Sequence, residues 1–113
     1  VLGIGNRLME DDGIGVYIVE KLKEEDNYRN VEYIIGETDT DYCISEISDT
    51  DYIILIDASD VGKKPGDITV LPIKETVRYI APDFFSHSFN LFSIINAANN
   101  SINGLFIGIQ PYR

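Results

Sequence analysis

Asp12, Asp57 and His87 are the side chains of this chain whose types suit work beside a divalent cation. Two carboxylates and an imidazole form a mixed oxygen and nitrogen donor set, suited to a divalent metal, with positions left for water or for a group from a partner. Asp12 closes the acidic run Glu10-Asp11-Asp12, which follows a Gly3-Ile4-Gly5-Asn6 turn. Asp57 ends the apolar run Tyr52–Ile56, and His87, the only histidine, stands just before a helical pattern. Each has a plainer role open to it. An aspartate at a helix start can cap free N–H groups, a polar residue ending a buried strand can be structural, and a lone histidine can be an ordinary side chain. The case for a site rests on all three falling where one sheet edge would collect them.

The elements that must position these residues follow from the apolar periodicity. Val1–Ile4 reads as the tail of a first strand. Gly15, Ile18, Val19 and Leu22 recur at helical spacing and predict a first helix, capped by Asp11 or Asp12 and ending near Asp26-Asn27. Val31–Ile35 is a second strand, Gly36–Asp39 the turn after it, and Asp41–Ser48 a short helix with Cys43, Ile44 and Ile47 inward. Tyr52–Ile56 has the unbroken apolar character of a central strand buried on both faces. Asp67–Leu71 is a further strand, and the link Ala58–Gly66 is too short for a crossover helix, so this strand runs antiparallel to its predecessor. Pro72–Phe85 carries no clear pattern, Ser88–Asn99 reads as a helix, and Leu105–Ile109 as a fifth strand. The expected fold is an α/β, three-layer α/β/α domain with a twisted, mixed, mostly parallel five-stranded sheet, ordered 2-1-3 and then the two late strands. Asp12 and Asp57 then emerge at the carboxyl ends of adjacent parallel strands, where open α/β sheets place ligands.

Composition narrows the classes of partner. The 113 residues suit one domain, and a net charge of −10 disfavours nucleic acid and anionic membrane surfaces. The single cysteine, Cys43, allows neither an internal disulfide nor a cysteine-based zinc cluster, which fits a cytoplasmic setting, and its apolar neighbours predict a core position. No apolar run reaches the roughly 18 residues of a membrane helix, and no signal peptide pattern is present. Gly3-x-Gly5 opens a dinucleotide-binding fingerprint, but Leu8 stands at the third glycine position and the acids at 10–12 oppose a pyrophosphate. A Rossmann-type nucleotide-binding module is therefore the weaker alternative. No Ser-His-Asp or Cys-His nucleophile arrangement is legible.

The run Gly3-Ile4-Gly5-Asn6-Arg7-Leu8-Met9-Glu10-Asp11-Asp12-Gly13-Ile14-Gly15-Val16 resembles the opening signature of the hydrogenase maturation proteases. Ile54-Leu55-Ile56-Asp57-Ala58, Pro65-Gly66-Asp67-Ile68, Ser86-His87-Ser88 and Gly108-Ile109-Gln110-Pro111 resemble later segments of that family, in its order. The Asp-Ala-Ser-Asp and Gly-Ile-Gln-Pro segments are most similar to the branch serving hydrogenase 3 and the coenzyme F420-reducing hydrogenases. The resemblance implies an endopeptidase that trims the C-terminal extension from the nickel-loaded precursor large subunit of a nickel–iron hydrogenase. It implies that Asp12, Asp57 and His87 contact nickel carried by that substrate, and that Asn6, Asp11, Gly36, Glu37 and Thr38 line the cleft for the tail. Many members read Asp-Gly-Gly-Thr where this chain has Ile35-Gly36-Glu37-Thr38. The expectation is a cytoplasmic monomer of one domain, 1–113, lacking the first residues of strand one and a C-terminal helix. A non-catalytic metal-sensing or chaperone domain of the same fold is the other alternative.

Overall fold

The computed structural model describes residues 1–8, 10–26, 28–48, 51–76 and 103–112, without the side chains of Glu10, Asp11 and Thr76. In chain order the elements are β1 (Leu2–Ile4), a 3₁₀ turn (Glu10–Gly13), α1 (Ile14–Glu25), β2 (Ile34–Glu37), α2 (Thr40–Ser48), β3 (Ile53–Ala58), β4 (Ile68–Pro72), α3 (Ile73–Thr76) and β5 (Gly104–Ile109). The sheet has five strands in the order β2-β1-β3-β5-β4. β1 pairs in parallel with both β2 and β3, β3 pairs in parallel with β5, and β4 closes the edge antiparallel to β5. The mixed α/β sheet expected from the sequence is therefore present.

The alternation of side chains along each strand sorts the helices into layers. Leu2 and Ile4 face Cys43 and Ile47 of α2, in a cluster with Leu55, Phe106 and Ile73 of α3. Gly3 faces the other way, where a Cβ would sit 2.6 Å from Gly15 O and 2.8 Å from Val19 Cγ2. α1 thus lies directly on the β1 backbone on one side, while α2 and α3 cover the other. Val16, Val19, Leu55 and Phe106 are fully buried. Phe106 and Leu55 stand opposite each other in the β3–β5 register, joining the middle of the sheet to its later half.

Three local expectations change. β2 lies at Ile34–Glu37, three residues later than the β-branched pattern of Val31–Ile35 indicates, because pairing is set by β1: Val1 O accepts from Ile34 N at 2.7 Å and Glu37 O from Gly5 N at 3.0 Å. Neither Asp11 nor Asp12 is the cap residue of α1. Gly13 holds that position without a side-chain capping bond, since the 3₁₀ turn runs straight into the helix. The stretch after Pro72 contains the single turn α3, anchored by Ile73, which is 2% exposed. The predicted helix over Ser88–Asn99, and His87 with it, lies outside the described residues.

Candidate functional site

The carboxyl edge of β1, β2, β3 and β5 collects the chemistry-bearing residues that the structure describes. Its geometry begins at Gly5, whose φ of +147° is open to glycine and disfavoured for any residue with a Cβ. A Cβ at Gly5 would also strike the carbonyl oxygen of Asp12. The chain can therefore leave β1, loop outward and return with the 3₁₀ turn pressed against the strand end. Gly15 does the same for the helix, since a Cβ there would collide with the carbonyl oxygen of Ile56. Asp12 is three residues before that contact and Asp57 one residue after it. The two aspartates, far apart in sequence, belong to segments in backbone contact at one edge.

Asp57 is fully buried, and its Oδ1 accepts from Ala58 N at 2.8 Å. Asp12 is half-buried in the 3₁₀ turn. A buried carboxylate at a strand terminus is costly unless it is paired or serves a ligand, and its donor chemistry fits a hard or borderline divalent cation. Among the described residues, no group of three or more His, Cys, Asp or Glu side chains stands close enough to hold a metal ion. The third residue of the expected set, His87, lies outside them.

The loop between β1 and the 3₁₀ turn is tied to its surroundings by Arg7. Its Nη1 donates to Glu20 Oε1 and Oε2 of α1 at 2.8 and 2.9 Å, and its Nε donates to Glu37 Oε1 of β2 at 3.1 Å. Glu20 first and Glu37 second raise the pKa of the guanidinium. Tyr17 Oη donates to Arg7 O, and Asn6 Oδ1 accepts from Leu8 N at 3.0 Å. Glu37 has a φ of +51°, the left-handed conformation that a glycine takes freely. Its ion pair with Arg7 keeps the side chain directed along the site edge. Asn6, Gly36, Glu37 and Thr38 thus share this edge with Asp12 and Asp57. Asp11 lies in the 3₁₀ turn.

Sequence reasoning missed Gln110, which organises the loop after Asp57. Gln110 is 5% exposed. Its Oε1 accepts from Val61 N and Lys63 N at 2.9 and 3.1 Å, and its Nε2 donates to Asp60 Oδ1 at 2.9 Å. Its backbone N–H and C=O pair with Asp67 and Gly66, at 2.9 Å each. The Gly-Ile-Gln-Pro segment was legible only as part of a signature, because the partners of Gln110 are brought in by the β3–β5 pairing. A cavity of about 420 Å³ opens at the opposite edge, lined by residues such as Val31, Ile47 and Tyr52, and contains none of the expected site residues.

Fold and edge together define a three-layer α/β protein with a carboxylate-bearing site at the carboxyl ends of its central strands. Comparison with known proteins makes that class specific. A family profile described as "Hydrogenase maturation protease" matches residues 16–112. A provisionally named hydrogenase maturation protease of Methanocaldococcus jannaschii is 32% identical over 98% of this chain and 70% of its own length. The hydrogenase expression/formation protein HoxM of Azotobacter vinelandii is 31% identical over 98% of this chain and 56% of its own length. The solved structure of the hydrogenase maturating endopeptidase HybD from Escherichia coli superposes with a TM-score of 0.74 at 27% identity, over 97% of this chain and 72% of that one. The chain belongs to the hydrogenase maturation protease family, a family of peptidases. It spans 56% of the length of HoxM, so it corresponds to little more than half of that relative.

Proposed function

We propose that this chain is an endopeptidase that removes the C-terminal extension of the precursor large subunit of a nickel–iron hydrogenase, acting on a precursor that already carries nickel. The observation that carries this reading is the close approach of Gly15, three residues after Asp12, to the backbone of Ile56, one residue before Asp57, in a chain of this family. In this reading Asp12, Asp57 and His87 contact the nickel of the substrate. Bound nickel would supply a Lewis-acid centre and a fixed anchor beside the tail.

The chain's own residues have distinct tasks. Asp57, fully buried and held by the Ala58 N–H, presents a carboxylate whose orientation is set before substrate arrives. Asp12 approaches from the 3₁₀ turn, which Gly5 and Gly15 allow to lie against the strand ends. Asn6, Asp11, Gly36, Glu37 and Thr38 line the path of the extended tail. An apolar hollow of about 220 Å³ beside Ile14, Pro65, Ile109 and Tyr112 adjoins this edge and suits an apolar side chain of the tail. The net charge of −10 supports a protein partner over nucleic acid.

The reading is tested by incubating the full chain with nickel-loaded and nickel-free precursor and following loss of the extension by intact-mass measurement. Cleavage of the loaded precursor alone supports it. Equal cleavage of both removes the nickel requirement, and binding without cleavage favours the non-catalytic alternative.

A further inference from the structure

Leu8 is 90% exposed, the most exposed large apolar side chain among the described residues. A single exposed leucine is ordinary on a protein surface. The loop beneath this one is unusual, because each residue from Gly5 to Leu8 is tied down. Gly5 N donates to Glu37 O at 3.0 Å, and Leu8 N donates to Asn6 Oδ1 at 3.0 Å. Arg7 O accepts from Tyr17 Oη of α1, and the Arg7 guanidinium spans Glu20 of α1 and Glu37 of β2, at 2.8 and 3.1 Å. The loop also rests on the turn beyond it. A Cβ at Gly13 would stand 3.0 Å from Asn6 O and 3.1 Å from Arg7 Cα, and Gly13 is the residue after Asp12. Leu8 therefore stands out from a braced loop that touches the Asp12 turn on one side and the end of β2 on the other.

Exposure and bracing act together on binding. Covering a leucine side chain from water is favourable in proportion to the apolar area removed. A mobile loop loses part of that gain to the entropy of ordering it, whereas a loop already held by Asn6, Tyr17, Glu20 and Glu37 keeps most of it. The tip offers apolar contact in place of charge, since the Arg7 guanidinium is matched by two carboxylates. A side chain this far out of the surface is enclosed only by a concave partner, because an extended peptide lying along the edge would cover one side of it. We propose that Leu8 is a docking residue, which inserts into an apolar recess on the folded body of the precursor large subunit while the tail occupies the adjoining edge of Asp12 and Asp57. This inference rests on the endopeptidase reading for its partner.

The test compares the full chain with its Leu8→Ala and Leu8→Met variants in three measurements: a thermal melt, the Kd for nickel-loaded precursor read by stopped-flow before cleavage proceeds, and steady-state cleavage. All three proteins melt within about 3 °C of one another, because the side chain touches little of its own chain. Leu8→Ala raises Kd and KM about tenfold and leaves kcat within about twofold, since the contact is remote from the bond cut. Leu8→Met restores the apolar volume and returns Kd to within about threefold of the unsubstituted chain. An unchanged Kd in Leu8→Ala overturns the inference, and so does an equal loss in Leu8→Met. A fall in Tm of more than about 3 °C in Leu8→Ala shows that the leucine packs within the chain and overturns it as well. Precursor that is bound but left uncut ends the endopeptidase reading alone, and the Kd comparison then still decides Leu8. Precursor neither bound nor cut ends both.

Discussion

Gly5 shows how one residue without a side chain sets the position of another with chemistry. Its φ of +147° and its contact with the Asp12 carbonyl leave no place for a Cβ. Gly5→Ala is expected to lower stability by about 2 kcal/mol or more, measured by urea denaturation. Any folded fraction should process precursor poorly, because the 3₁₀ turn that carries Asp12 is pushed off the strand end. The types of Asp12 and Asp57, and their places after apolar runs, were legible in the sequence. The reason Gly5 must be glycine was not, since it lies in a contact with a segment seven residues on whose path depends on the helix docking against β3.

At the scale of elements, β3, α1 and α2 follow from hydropathy, while details that depend on pairing do not. β2 begins where β1 can pair with it, three residues later than Val31–Ile35 suggests. The short link after β3 correctly required an antiparallel β4. The insertion of β5 between β3 and β4 is a long-range pairing that no local pattern announces. Gln110 belongs to this scale, because it joins the end of β5 to the loop that follows Asp57. Gln110→Ala removes the acceptor of Val61 N and Lys63 N and the donor to Asp60. Loss of about 2 kcal/mol of stability is expected in urea denaturation. Amide hydrogen exchange of residues 60–66 should quicken more than that of α1, and uniform quickening of both would argue against a local role.

For the whole molecule, the core also carries a test of pH dependence. Cys43 is 2% exposed, facing Leu2 and Gly36, and burial pushes its thiol up to about 11 from the usual 9. Folding therefore favours the protonated thiol. Its contribution is complete below pH 9 and is lost as pH rises from 9 towards 11, where the unfolded chain ionises first; the loss amounts to about 2 to 3 kcal/mol. Urea midpoints should fall over that range in the unsubstituted chain and fall less in Cys43→Ala, after allowance for its lower starting stability. An equal fall in both would show that other groups dominate. The net charge of −10 bears on the choice of partner. The central claim is that Asp12, Asp57 and His87 act together on the nickel of a precursor. The most direct test is cleavage of nickel-loaded precursor by Asp12→Ala, Asp57→Asn and His87→Ala, each first shown to be folded by circular dichroism. Asp57→Asn keeps an oxygen that can accept from the Ala58 N–H. The account predicts a loss of processing of about 100-fold or more in every variant. Processing by folded Asp57→Asn or His87→Ala at the rate of the unsubstituted chain would contradict it.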